Sequence, residues 1–380
     1  QEASMPLRLT YSMGIALVLS LSSTWAAGFD STYFPGDMYF GPSRIQLGFR
    51  KTTGNIHGTI QSPSGRRAES NDIYRHKLSP ILGIRYVKDQ LGITLLYQRP
   101  FQVNTYYQRI PGMDFLPSES SLTSDMVSAM ASYTQPSRLI GGNVTLTGGI
   151  NQLKGQGRLG TYIPNAELIA ILPFKTSYFP SIGMNYSNDT YGITANFMYH
   201  GESKTTAKNA TLDNDSIEVR ELVVSPSRYH FHLQSGIHPQ WGIGAGYIHV
   251  QWAKTPTINI IAESGNRITP LFSRDGNYYY GMLAHQYNKK INLHAVIFHE
   301  AAGKERASLR TASSGGITSY TAGSTLTLNS QLKVSGNYSL IRIQASQASQ
   351  AVGPSGSEIT GDYPATTGHN FAIKMEYFLS

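Results

Sequence analysis

The residues able to do chemistry in this chain are few and scattered. His230 and His232 are two apart, so on a strand they share a face and could hold a metal ion, but no third ligand accompanies them, and lumen-lining imidazoles are the plainer reading. Asp213-Asn214-Asp215 starts like a calcium loop and lacks its remaining oxygens. His299-Glu300 is not followed by the second His of a zinc-protease helix, and Gly353-Pro354-Ser355-Gly356 lacks the spacing of a nucleophile elbow. With no Cys, thiolate metal sites and disulfides are excluded. The sequence therefore points away from an enzyme and requires no cofactor, although a Ser, His and acid brought together at a rim would leave no local signature. More telling is apolar surface in unusual places. Tyr162-Ile163-Pro164-Asn165-Ala166-Glu167-Leu168-Ile169-Ala170-Ile171-Leu172-Pro173-Phe174 is strongly apolar and has helical composition after Pro164. Phe101, Tyr106, Tyr107, Ile110, Met113, Phe115 and Leu116 form a second such set. Exposed, these segments would bind an apolar ligand; packed on each other, they would form a cap.

The elements that position these segments are strands. Between Ile140 and Gln152, Ile140, Val144, Leu146 and Ile150 fall on one face, and Asn143, Thr145, Thr147 and Asn151 on the other. A period of two is a strand, and an uncharged polar face opposite an apolar one suits a wall with lipid outside and a lumen inside; a soluble sandwich strand is the alternative. Composition favours the wall. Only 14% of the 380 residues are charged, aromatics reach 11% with 24 Tyr against 3 Trp, and Gly numbers 37. These values suit a membrane barrel with aromatic girdles. The formal charge of +8 could serve anionic lipid or an acidic small molecule, whereas no basic cluster or motif supports nucleic acid.

Strands are expected at about 44–53, 77–87, 91–99, 125–134, 139–152, 177–187, 190–200, 217–235, 241–252, 277–287, 291–299, 317–328, 332–343 and 369–379. Short polar turns and long connections alternate along the whole chain, as in bacterial barrels with short periplasmic turns and long outside loops. The expected fold is all-β: a transmembrane, antiparallel, up-and-down barrel of about 14 strands. Pro226 inside the longest expected strand marks a bend or bulge. The last strand should turn Phe371, Ile373, Met375 and Tyr377 outward and Asn370, Lys374 and Glu376 inward, and Arg50, Arg85 and Lys333 should also project into the lumen.

An export signal is expected at the start. Met5 reads as the initiator, with Gln1–Ser4 upstream of it. Arg8 is the basic end, Met13–Leu21 the short apolar run, and Thr24-Trp25-Ala26 the small-residue cleavage site. That divides the chain into a signal with upstream residues (1–26), a short plug or hatch segment (27–43) and the barrel (44–380).

Within this frame stand Ala27-Gly28-Phe29, Ser62-Pro63-Ser64-Gly65-Arg66, Pro239-Gln240-Trp241 opening a strand towards Trp252, and Asn277-Tyr278-Tyr279-Tyr280-Gly281 with the Asn288 turn beyond it. By their order and spacing the sequence resembles the outer-membrane long-chain fatty acid and hydrophobic-compound transporters. The resemblance is diffuse and covers most of the mature chain. It departs from the family in its N-terminus, which is short and lacks the family's Asn-Pro-Ala element. The resemblance implies a 14-stranded barrel in the bacterial outer membrane. It implies passive uptake of long-chain fatty acids or other hydrophobic small molecules, with outer-membrane lipid, lipopolysaccharide and the barrel-assembly machinery as partners, and a monomer. It also implies a cation for the ligand's carboxylate, for which Arg158 and Arg274 stand at comparable positions, either being alternatively a loop arginine facing lipopolysaccharide phosphate. The expected ligand contacts are thus Arg158, Arg274, Tyr162, Ile163, Leu168, Ile169, Ile171, Leu172, Phe174, Phe101 and Phe115. The runner-up functions are a general porin, favoured by the short N-terminus, and a structural or adhesive surface barrel.

Overall fold

A computed structural model describes residues 36–74, 77–100, 102–137, 141–212, 215–251, 257–262, 265–270, 275–301, 307–309, 316–352 and 357–379. The expected signal, residues 27–35 of the expected plug, Phe101, Arg274 and the 353–356 loop lie outside these residues. The barrel strands are Arg44–Gly54 (β1), Lys77–Lys88 (β2), Leu91–Gln98 (β3), Pro117–Pro136 (β4), Asn143–Ile163 (β5), Ser177–Asn188 (β6) and Ile193–His200 (β7). They continue with Arg228–His238 (β8), Trp241–Val250 (β9), Gly276–Gln286 (β10), Ile291–Glu300 (β11), Ile317–Thr327 (β12), Leu332–Ile343 (β13) and Thr366–Phe378 (β14). Each pairs antiparallel with its sequence neighbours. The ladder from Arg44↔Phe378 to Gly54↔Gly368 joins β1 to β14 and closes the 14-stranded barrel.

The alternation read from the sequence sets inside and outside. On β14, Phe371, Ile373, Met375 and Tyr377 face out, while Asn370, Lys374 and Glu376 are buried inside. Leu82, Ile93, Leu146, Ile182, Leu233 and Ile297 are each more than half exposed, which is where an apolar side chain belongs when the solvent is lipid. Arg50 and Arg85 are buried on the inner face, as expected. Three of the short turns are held by one device: Asn188, Asn288 and Asn329 each accept two backbone N–H groups from residues two and three positions ahead.

Two expectations are corrected. The long strand at 217–235 is two strands, Asp215–Ser225 and β8, parted at Pro226-Ser227, where Pro has no N–H for a ladder. The apolar stretch after Pro164 forms a strand, Ala166–Pro173, rather than a helix. Pro164-Asn165 makes a hairpin, with Asn165 at φ 60°, and the whole stretch pairs with the upper part of β5 from Ile163↔Ala166 to Gln156↔Pro173.

Beyond the barrel two structures rise on the long-loop end. On one side β4 and β5 run on past the neighbouring strands. Gln102–Tyr106 joins β4, while Ala166–Pro173, Ser203–Leu212, Asp215–Ser225, Thr257–Ala262 and Gly265–Pro270 follow β5 in succession as a curtain. On the other side Thr59–Gln61, Arg67–Glu69, Ala307–Ser308, Ser346–Val352 and Ser357–Tyr363 form a separate five-stranded cap sheet. Beneath it lies a core that includes Ile56, Ile60, Tyr107, Met113, Leu116, Tyr162, Ile341, Ile359 and Tyr363.

Candidate ligand path through the lumen

A short helix, Gly36–Phe40 (α1), packs against β2, β3, β4 and β5. Met38 and Tyr39 are fully buried there, Met38, Tyr39 and Phe40 sharing a cluster with Ile81, Leu96, Met130 and Met198. A helix end leaves carbonyls without partners, and here the lumen supplies them. Arg85 donates from Nε to the Gly41 carbonyl at 2.6 Å, and Thr94 donates to the Met38 carbonyl at 2.9 Å. The same guanidinium donates to Thr94 Oγ1 and Ser132 Oγ, each at 2.9 Å, so α1 is tied to three strands through one side chain. Gly83 permits the approach, since a Cβ there would lie 2.6 Å from Met38 Cε.

Towards the long-loop end the inner face carries a polar chain across four strands. Ser128 donates to Asn151 Oδ1 at 2.7 Å, Asn151 Nδ2 donates to Ser181 Oγ at 2.6 Å, and Ser181 Oγ lies 2.6 Å from His200 Nδ1. His200 pairs in register with Arg228, which is buried on the inner face of β8. Next along the wall Tyr280 Oη lies 2.8 Å from His230 Nε2 and 3.1 Å from His232 Nδ1. The two imidazoles considered as metal ligands thus face a phenol, and among the described residues no group of three or more His, Asp or Glu is arranged to hold a metal.

Above this chain the inner face turns apolar. Met126, Leu153 and Phe179 are at most 1% exposed, and the curtain continues the surface upward with Leu159, Ala170, Leu172 and Phe174. Met126↔Leu153 and Leu159↔Ala170 are cross-strand partners, and between them Gly155, facing Ser124, leaves room for the Phe174 ring.

Nearer the short-turn end of the lumen the wall is cationic. Arg44 and Arg85 are cross-strand neighbours, Arg44 Nη1 lies 3.2 Å from Glu376 Oε1, and Lys374 Nζ lies 3.3 Å from Glu376 Oε2. Lys333, in register with Glu376, sits over the Phe378 ring at 5.0 Å, leaving several cations around one carboxylate.

The expected ligand residues separate into groups. Leu172 and Phe174 face inward. Ile163, Leu168 and Ile169 are half-buried on the curtain, and Ile171 is exposed on its outer face. Tyr162 belongs to the cap core, its hydroxyl donating to the Tyr107 carbonyl at 2.8 Å; burial pushes its phenol pKa up. Tyr107, Met113 and Leu116 are in the same core, which establishes the packed-cap reading for them. Phe115 is exposed in a turn at φ 71°. Arg158 faces outward and pairs with Glu119 at 2.7 Å, so its guanidinium lies on the outer side of the wall and not beside the lumen. The inner residues Met126, Leu153, Phe179 and Arg228 were not among those expected, although the strand period alone would have placed the first two inside. A cleft of about 640 Å³ on the cap, lined by His57, Thr59, Glu69, Gln347 and Asp362 among others, shares no residue with this path.

Closed strand order, outward apolar band, polar lumen and inward helix together define the class: a 14-stranded antiparallel barrel of the outer-membrane type. No protein-family model and no curated protein sequence matches the chain. Among solved structures it is similar to a FadL homologue of Pseudomonas aeruginosa, with a TM-score of 0.74 at 14% identity over 98% of each chain. It is similar as well to the toluene transporter TbuX of Ralstonia pickettii, at 0.63 and 13% over 95% of this chain and 97% of that one. The toluene transporter TodX of Pseudomonas putida follows at 0.62 and 12%, over 90% and 91%.

Proposed function

We propose that this barrel is a channel for passive uptake of hydrophobic small molecules and that its preferred ligand is an amphiphile with an acidic head, a long-chain fatty acid being the simplest. The observation that carries this reading is the set of apolar inner-face residues running from Phe174 and Leu172 down to Met126, Leu153 and Phe179, above the polar level that holds His200 and Arg228. An alkyl chain is matched by the first part and a carboxylate by the second. Helix α1, latched by Arg85 through the Gly41 carbonyl, acts as a reduced plug. The burial of inner-face side chains such as Gln46, Thr94, Ser335 and Asn337 speaks against the wide aqueous bore of a general porin.

The neighbours that carry toluene support a second reading, in which the ligand is a neutral aromatic and the buried cations serve only the wall. Binding of a long-chain fatty acid and of toluene to the refolded barrel, in a detergent that does not compete, separates the two. Saturable fatty acid binding that weakens about tenfold in Arg228→Gln and is unchanged in Arg158→Glu is expected. Fatty acid binding indifferent to Arg228→Gln removes that residue. Binding that weakens only in Arg158→Glu returns the carboxylate to the outer wall. Toluene binding without fatty acid binding establishes the neutral ligand.

A further inference from the structure

The outward residues immediately above the apolar band differ around the barrel. Just past the end of β3 the cation there is neutralised within the protein, Arg99 Nε lying 3.0 Å from Asp125 of β4. On β9, His249 lies 3.6 Å from Asp275. On the arc from β11 through β14 to β1 the corresponding residues are His299, Arg342, His369 and Lys51, and no described strand residue facing outward there is Asp or Glu. Lys51 and Arg342 are exposed, and neither forms an ion pair with a described carboxylate.

Two of the heads on this arc, Arg342 and His369, are also held in place. Arg342 lies over the Tyr320 ring at 5.7 Å, which orients the guanidinium along the wall. Tyr338 Oη lies 2.8 Å from His369 Nδ1, and the two rings stack at 5.9 Å. Directly below, Phe49, Tyr338, Phe371 and Ile373 are each at least 40% exposed and face acyl chains. Apolar wall beneath and, above it, Arg342 and Lys51 with no described carboxylate partner match one occupant: a lipid with an anionic head at the membrane surface.

We propose that the β11–β1 arc is a binding surface for the phosphorylated head of an outer-leaflet glycolipid. Arg342 and Lys51 contact the phosphates, and Tyr338 and Phe371 contact the first part of the acyl chains. Guanidinium and ammonium groups donate charge-assisted hydrogen bonds to phosphate oxygens, while the rings occupy the zone where aromatic side chains settle. This surface lies on the outside of the wall and is independent of whatever crosses the lumen.

The test measures lipid A bound to the full-length refolded barrel by native mass spectrometry. The protein forms are wild type, the Lys51→Gln/Arg342→Gln double variant and Arg99→Gln, each offered bisphosphorylated lipid A or the same lipid with both phosphates removed. Heat-modifiable migration on gels confirms that every variant is a closed barrel. Lipid A should bind wild type and Arg99→Gln alike, and the double variant about tenfold more weakly. Dephosphorylated lipid should bind all three equally and weakly. Equal binding of lipid A to wild type and the double variant overturns the assignment, and so does a preference that survives removal of the phosphates. If Lys51→Arg/Arg342→Lys restores binding, charge and not packing is the cause; failure of that restoration counts against the proposal.

Discussion

The curtain and the cap are built from loops of similar apolar content and end with opposite surfaces. In the curtain, β5 continues from Asn143 to Ile163 without a break, so the parity set inside the membrane persists above it. Leu172 and Phe174 therefore inherit the inward direction, and Arg158 and Ile171 the outward one. In the cap, strands from the first, sixth and last loops assemble into their own sheet, and Tyr107 and Leu116, off the barrel strands, are consumed by its core, joined there by Tyr162 at the tip of β5. Apolar loop residues thus line a path only where they stay in register with the barrel. Where they leave it, they need partners of their own and are lost to ligand. Burial is deep enough in the cap to push the phenols of Tyr74 and Tyr363 up, and Tyr363 meets Tyr107 through an Oη–Oη contact of 2.6 Å.

Four substitutions probe this contrast. Ile60→Asp places a carboxylate in the fully buried cap core and should cost the cap about 3–5 kcal/mol. The loops should become protease-sensitive while the barrel still migrates as a folded band. Phe174→Asp should leave the cap resistant and weaken ligand binding about a hundredfold, equivalent to roughly 2.7 kcal/mol, in equilibrium titration. If the same loss followed from Ile60→Asp, the division of labour would be wrong. Tyr107→Phe removes one hydroxyl shared between the Leu309 carbonyl and Tyr363, and should lower cap stability by about 1 kcal/mol without touching binding. Arg158→Gln breaks an exposed pair with Glu119 and should change stability by no more than about 0.2–1 kcal/mol, read as a thermal midpoint.

Much of this fold was legible because the membrane imposes a strict pattern. The span expected at 332–343 is the observed β13, and the one at 44–53 differs from β1 by a single residue. Lipid outside and a lumen inside force alternation on every strand, and the short turns carry their own Asn signal. Illegible were the strands whose partners are remote, such as Thr59–Gln61 on Ser357–Tyr363, because pairing across most of the chain leaves no local period. The fused strand at 217–235 failed for a different reason: Pro226 interrupts the ladder but not the composition. Of the candidate site, Leu172 and Phe174 lie on the inner face of the curtain. Arg158 was misplaced against information already present, since counting in twos from Leu146 and Ile150 puts it on the lipid side.

The cap has a consequence for how the chain's two ends are kept together. Gly58 lets the backbone pass so near Asp362 that any Cβ would strike the Asp362 carbonyl and crowd the Tyr363 ring at 2.7 Å. Thr366 donates to the Asn55 carbonyl at 2.7 Å just above the last β1–β14 pair, and Thr59 and Gln61 then rejoin the same returning segment at Asp362 and Thr360. The seam between first and last strands is therefore stitched within the membrane and stitched again outside it, between residues some three hundred positions apart. Joining such distant segments carries the largest entropic penalty in the molecule, and once the outer stitch is made, the inner one closes at high effective concentration. The cap works as a clasp: pried at its seam, the cylinder resists at two places, and neither stitch can part far while the other holds.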